Sequence, residues 1–349
     1  MLIPATTTPA AMLTTISPEG SAPCKKPLEK ITIVGAGTLG TAIAYTLLVQ
    51  GLGNEVALID QNEPLARGEA LDMLHATQFL NNQQVTCGTD YSAANLSKII
   101  IITAGARNFD NKETATKQNT EIFRELIPQL ISHADNAIFI ICSYPVDEMS
   151  YVTWKLSGLP PHKVIGAGTY LETTRFRRGI ADRMNVHPSC CRAFVIGEHG
   201  PKSIPIWSSV NVAGVRLAEV NPDIGTPQDP EDWNSIFRDI VDSAEEVVCL
   251  KECASWGMAL SVARIVRAIL HDTGECFTVS THIKGCRHGI DKDVFMSLPV
   301  ILGCDGVKKL IKQSFTDTEK EALQKSADRM FDLFRTLDLD KIEPPKIIC

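Results

Sequence analysis

Short, uncharged apolar runs alternate with longer amphipathic stretches through the first half of the chain. Ile31–Val34, Val56–Ile59, Ile99–Thr103 and Ile138–Cys142 are continuous, rich in β-branched residues and brief. That pattern predicts strands buried on both faces. Between them, Thr41–Gln50 and Thr120–His133 carry helical spacing, the second with Ile122, Phe123, Leu126, Ile127 and Leu130 on one side. Alternation of strand and helix predicts an α/β, doubly wound parallel sheet. After about residue 165 the texture changes. Ala193–Ile196 and Val210–Leu217 look like hairpin material, with Gly214 in the second, and Trp233–Arg264 and Thr318–Leu337 are long helical patterns. An α+β second domain is expected, with the Pro- and Asp-rich stretch Asn221–Asp232 as a surface loop running into a helix. The resulting division is an N-terminal arm over residues 1–27, a first domain over 28–167 and a second over 168–349.

Composition removes several alternatives. With 349 residues, 44% hydrophobic and 21% charged, the chain can bury a large core. The net charge of −7 and the lack of a long basic run argue against nucleic acid as a partner. Eleven cysteines are scattered without a Cys-x-x-Cys pair, so neither a metal site nor a disulfide framework is indicated. Free thiols suit a reducing compartment, which reads as the cytoplasm. Residues 31–49 carry no charge and meet the length rule for a membrane span, but Gly35, Gly37 and Gly40 fit a strand, a glycine turn and a buried helix better. No membrane partner is expected. The arm, rich in Thr, Pro and Ala, has neither the apolar core of a signal peptide nor the arginines of a transit peptide, and reads as flexible.

The first chemical signal is the glycine turn. Gly35-Ala36-Gly37-Thr38-Leu39-Gly40 follows the strand ITIV and opens a helix, and Asp60 ends the next strand twenty residues beyond Gly40. A lone G-x-G-x-x-G is weak; this context makes it a dinucleotide site. Gly35 permits the tight turn, Gly37 lets backbone approach a pyrophosphate, and Gly40 lets helix and strand pack closely. Asp60 accepts from both ribose hydroxyls and repels a 2′-phosphate, which favours NAD over NADP. Thr103-Ala104-Gly105-Ala106-Arg107 ends another strand at the same edge, where Arg107 either pairs with the pyrophosphate or is an ordinary loop arginine.

The second signal is Ile196-Gly197-Glu198-His199-Gly200, a strand-end histidine between glycines. Such an imidazole can reach into a cleft as an acid or base near neutral pH. Upstream, in Leu171-Glu172-Thr173-Thr174-Arg175, Glu172 can orient the ring and Arg175 can fork onto a carboxylate.

These segments, together with VGAGTLGTAIA, ITAGAR, LETTRFR, PIWSSVNVAGV and STHIKG, resemble the L-lactate dehydrogenase family within the lactate/malate dehydrogenase superfamily, in the same order over residues 30–337. The resemblance implies a Rossmann-type NAD domain, then an α+β substrate domain, and hydride transfer between NAD and a small 2-hydroxy/2-oxo acid pair. It places His199 at the proton donor and acceptor, with Arg175 as the carboxylate clamp. It implies a homo-oligomer, a tetramer, with a dimer allowed because the arm differs from the family's.

Around that centre the chain departs from the family. Glu172 replaces an aspartate, and its extra methylene shifts the carboxylate on the order of 1 Å, a displacement that can cost ~100-fold in rate. Tyr144 and Tyr170 replace asparagines, and Ala254 replaces a threonine that lines the substrate pocket. After Arg107 the loop is two residues shorter than in vertebrate-type members. Lys112 falls where a polarising arginine belongs, keeping the charge but losing the planar fork. Phe109 falls near the position that is glutamine in lactate enzymes and arginine in malate enzymes. It matches neither and counts against malate; ordinary loop decoration is an equal reading for Phe109 and Lys112. Two functions therefore stay open: an NAD-dependent dehydrogenase of L-lactate or a related acid, and a catalytically impaired NAD-binding protein with a binding or structural role.

Overall fold

The computed structural model describes residues 29–337 and 339, apart from 82, 107–110 and 287. The N-terminal arm, Arg107 and Phe109 lie outside the described residues. The first domain runs β1 (Lys30–Val34), α1 (Thr38–Val49), β2 (Glu55–Ile59), α2 (Glu63–Ala76), β3 (Gln84–Gly88), β4 (Ser97–Ile102), α3 (Lys112–His133), β5 (Ile138–Ile141), α4 (Val146–Ser157) and β6 (Val164–Gly166). The second continues with α5 (Tyr170–Met184), β7 (Cys191–Arg192), β8 (Val195–Gly197), β9 (Ser203–Pro205), β10 (Asn211–Val212), β11 (Val215–Arg216) and α6 (Leu217–Val220). It closes with α7 (Ser235–Lys251), α8 (Trp256–Leu270), β12 (Cys276–His282), β13 (Phe295–Gly303), β14 (Gly306–Leu310) and α9 (Asp317–Arg335).

One sheet joins both domains in the order β3-β2-β1-β4-β5-β6-β12-β13-β8-β9, with β14 on β13. The first six strands are parallel, a doubly wound arrangement, and the rest antiparallel. The continuous apolar strands follow from this layering, because alternate side chains serve opposite cores. On β4, Ile100 and Ile102 pack with Phe123, Ile127 and Leu130 of α3, whereas Ile99 and Ile101 pack with Ile43 and Leu47 of α1 and Val266 of α8. A third cluster around Phe176, Trp207, Trp233 and Phe237 fills the second domain.

Two helical expectations change. The pattern from Trp233 to Arg264 is two helices, α7 and α8, bent by 113°. The break sits at Glu252, which takes a left-handed φ of 63°, a conformation that no glycine or proline announces. Helix α3 begins at Lys112, eight residues before Thr120, capped by the Asn111 side chain, which accepts from Thr114 N–H. No single described helix is long and apolar enough to cross a membrane.

Candidate active site

The glycine turn leaves β1 at the carboxyl edge of the parallel strands. Gly35 has φ +108°, open only to glycine at low cost, and a Cβ there would stand 2.7 Å from Thr103 Oγ1 and 2.8 Å from Ala104 N. Thr103 fixes the turn from the neighbouring strand by donating its hydroxyl to Gly35 O at 2.9 Å. Asp60 holds the other side: Oδ2 accepts from Ala36 N–H at 2.7 Å and Oδ1 from Asn62 N–H at 2.8 Å. Helix α1 starts after Gly37 with no side-chain cap and no acidic residue in its first turn. Its first N–H groups therefore offer positive ends to an anion.

Gly105 belongs to the same rim, tied down by a residue that sequence reasoning did not single out. Asn119 of α3, fully buried, accepts from Ala106 N–H at 2.6 Å and donates to Tyr144 O at 2.6 Å. One amide thus joins the β4 and β5 exits, placing Gly105 and Tyr144 side by side.

His199 follows β8, held by backbone and by charge. Its N–H donates to Asp147 Oδ2 at 2.7 Å, from the first turn of α4. Ring Nδ1 lies 3.3 Å from Glu172 Oε1 on α5, an ion pair without a well-aligned hydrogen bond. Glu172 is set against β8 by its neighbours at the start of α5: Thr169, just before the helix, donates its Oγ1 hydroxyl to Val195 O at 2.6 Å, and Thr173 Oγ1 accepts from Val195 N–H at 2.9 Å. The imidazole side chain keeps 25% exposure. Burial opposes the charged ring, but the Glu172 carboxylate, helped by Asp147, carries the His199 pKa up to about 9. Burial likewise opposes the Glu172 anion, and the His199 and Arg175 charges overcome it, holding that carboxyl below its usual range.

The sign of the pH effect follows. A folded-state pKa raised from 6.5 to about 9 gives stability that is complete below 6.5 and disappears as pH rises through about 9. On the acid side the limit is protonation of Glu172 itself. The melting-temperature advantage of the wild type over Glu172→Gln is expected to vanish across that alkaline window. An advantage that stays flat from neutral pH to pH 10 would contradict the pairing.

Lys112 stands at the start of α3, near the same centre. Its Nζ lies 2.7 Å from Glu148 Oε1 and 3.6 Å from Glu198 Oε2. Burial disfavours the ammonium, but Glu148, Asp147 and Glu198 hold its pKa well above the ordinary lysine value. Glu198 is itself anchored from α9, accepting from Ser326 Oγ and Arg329 Nη2 at 2.7 Å each. Tyr144 is close enough for the Lys112 and Glu148 charges to reach its hydroxyl, whose pKa burial raises. Arg175 lies one turn beyond Glu172, makes no ion pair among the described residues, and lines a groove with Arg178, Asp182, Ile236 and Ile240. Ala254 is half-buried in the break between α7 and α8.

Residues 29–166 match the lactate/malate dehydrogenase NAD-binding domain and 169–334 the lactate/malate dehydrogenase alpha/beta C-terminal domain. The chain belongs to the lactate/malate dehydrogenase family. It is 43% identical over 313 residues to an L-lactate dehydrogenase of Petromyzon marinus, covering 89% of this chain and 93% of that protein. It is 42% identical to the L-lactate dehydrogenase A chain of Danio rerio, over 90% of this chain and 94% of that one. The human L-lactate dehydrogenase B chain is 40% identical, over 92% and 97%. This family member is an NAD-dependent dehydrogenase of the L-lactate dehydrogenase type, with NAD as cofactor. The uncapped start of α1, the Cβ-free turn at Gly35 and the acid at Asp60 fit that cofactor.

Buried acids are what the sequence concealed. Asp147 and Glu148 occupy consecutive positions on α4 at 1% and 0% exposure, where a polar pair on a helix ordinarily signals a solvent face. The Asn111–Thr114 cap was readable as a helix start.

Proposed function

We propose that the chain interconverts pyruvate and L-lactate, or a closely related 2-oxo/2-hydroxy acid pair, with His199 as proton donor and acceptor and Arg175 as carboxylate clamp. The observation that carries this reading is the Glu172–His199 pair at 3.3 Å, on a partly exposed imidazole in a chain that has an NAD cradle. The backbone of Gly35, Gly37 and Gly40 holds the pyrophosphate and Asp60 the adenosine ribose; Thr103 and Gly105 shape the adjoining wall. NADH, when bound, supplies the hydride to the carbonyl carbon. His199, charged below pH about 9, holds a proton for the carbonyl oxygen. Glu172 keeps that proton's site in orientation and balances the charge on the ring. Arg175, with no ion-pair partner among the described residues, can take a carboxylate through two parallel hydrogen bonds. Tyr144 and Ala254 bound the substrate side, Phe109 is assigned to it by resemblance alone, and Arg107 is assigned to the pyrophosphate by its sequence position after the β4 strand.

The Lys112–Glu148 contact favours a second reading, a catalytically impaired NAD-binding protein, because a cation gripped at 2.7 Å by a buried carboxylate is poorly placed to polarise a substrate. A panel of 2-oxo acids separates the two. NADH oxidation is expected with pyruvate and with apolar 2-oxo acids, and at least ~10-fold more weakly with oxaloacetate, because by resemblance Phe109, and no cation, occupies the sequence position that separates the two substrates. NADH binding without turnover on any member of the panel would establish the impaired protein instead.

A homo-oligomer fits the exposed apolar side chains on α2 (Leu65, Leu71, Leu74) and α8 (Trp256, Leu260). Free thiols at all nine described cysteines fit the cytoplasm.

A further inference from the structure

Glu148 has no part in the mechanism above, yet it governs one of the charges nearest to it. Its side chain has 0% exposure, and its only cationic partner among the described residues is Lys112, at 2.7 Å. The next carboxylate, Asp147, is equally enclosed and adds repulsion rather than relief. The other anion near Lys112, Glu198, is independently satisfied by Ser326 and Arg329. The exchange is therefore unequal. Lys112, 34% exposed, could leave for water or a ligand; Glu148 would be left as a buried charge without a counterion.

We propose that Glu148 is a positioning residue that withholds the Lys112 ammonium from the substrate carbonyl, through an ion pair linking the first turns of α3 and α4. The inference rests on the reading of His199 as the reaction centre. For the cation to stabilise charge developing on a carbonyl oxygen, its N–H groups must face that oxygen, and here the shortest contact is spent on Glu148. Substituting Lys112 by arginine alone does not change this, because the buried carboxylate accepts a guanidinium as readily. The productive change is at position 148.

The test compares wild type, Glu148→Gln, Glu148→Asp and the double variant Lys112→Met/Glu148→Gln, each as the full chain with NADH. Glutamine keeps the shape and an acceptor oxygen but removes the charge, and Lys112 retains Glu198. kcat/KM for pyruvate is expected to rise about tenfold or more in Glu148→Gln, chiefly through kcat. Oxamate, an unreactive carboxylate with an adjacent carbonyl, should bind the NADH complex correspondingly tighter, with NADH affinity unaltered. Glu148→Asp, with the charge drawn back by one methylene, should gain less, and this variant carries the test should glutamine prevent folding. The double variant should lose the gain, which a merely structural effect of position 148 would leave in place. Wild-type turnover with no gain in Glu148→Gln or Glu148→Asp overturns this inference and leaves the dehydrogenase reading standing. Failure of every variant both to reduce pyruvate and to bind oxamate, with NADH bound, overturns both.

Discussion

Replacing His199 by glutamine is expected to lower the rate of pyruvate reduction by about a thousandfold while leaving NADH affinity within a factor of about two. The asymmetry follows from where the ring stands. Its backbone is fixed through Asp147 and its Nδ1 faces Glu172, which leaves Nε2 as the ring nitrogen for a substrate. Glutamine preserves the backbone bond to Asp147 but cannot hold a transferable proton. It also leaves Glu172, 7% exposed, without its cation, so a stability loss of ~1–3 kcal/mol should accompany the loss of rate. Stopped-flow NADH fluorescence measures binding and turnover on the same sample. Equal rates in the two proteins would remove His199 from the chemistry.

The second large effect concerns the cofactor cradle. Gly40, in the first turn of α1, packs directly on Gly35: a Cβ at position 40 would overlap Gly35 O and stand 2.9 Å from Thr103 Oγ1. Neither neighbour can yield cheaply, since Thr103 Oγ1 is hydrogen-bonded to Gly35 O and Gly35 N–H donates to Ile59 O. Gly40→Ala must therefore push α1 away from the strand edges, carrying its anion-facing N–H groups with it. Overpacking of this kind costs ~1–3 kcal/mol of stability. NADH affinity is expected to fall by about 100-fold or more, because a 1 Å displacement misplaces every donor at the helix start. Gly68→Ala supplies the contrast: that glycine, inside α2, has open space where the methyl would go, and alanine should stabilise the helix by ~0.5–1 kcal/mol. If calorimetry and NADH titration found Gly40→Ala as benign as Gly68→Ala, the close approach of helix and turn would be refuted.

The parts of this molecule that were legible in sequence are those whose chemistry is local. A strand buried on both faces has to be apolar throughout, and Ile99–Ile102 serves two cores at once. A glycine turn with an acid on the next strand announces itself, and Asp60 does bind the turn, at Ala36 N–H. The pairing of His199 with Glu172, 27 positions apart, was open to reading from residue type, an acid able to orient an imidazole, and not from spacing. What stayed hidden depends on contacts between distant segments. Asn119, Asp147 and Glu148 are polar and helical, so by pattern they belong on a surface; only the approach of α3, α4 and β8 encloses them. The opening turns of α3 hold Lys-Glu-Thr-Ala-Thr-Lys, too polar to reveal a helical face, which is why Lys112 reads as loop. The edge strand β3, partly exposed along its length, and the long hairpin β12–β13 carry no turn or alternation distinct enough to mark them beforehand.

The most direct measurement follows the hydride itself. The purified chain is incubated with pyruvate and NADH carrying deuterium at the transferable C4 position, and the 2-hydroxy acid formed is analysed by mass spectrometry. Lactate labelled at C2, formed by the wild type and suppressed in His199→Gln, is the expected result. Unlabelled product, or bound NADH that passes no deuterium to pyruvate or to any related 2-oxo acid, would contradict the account.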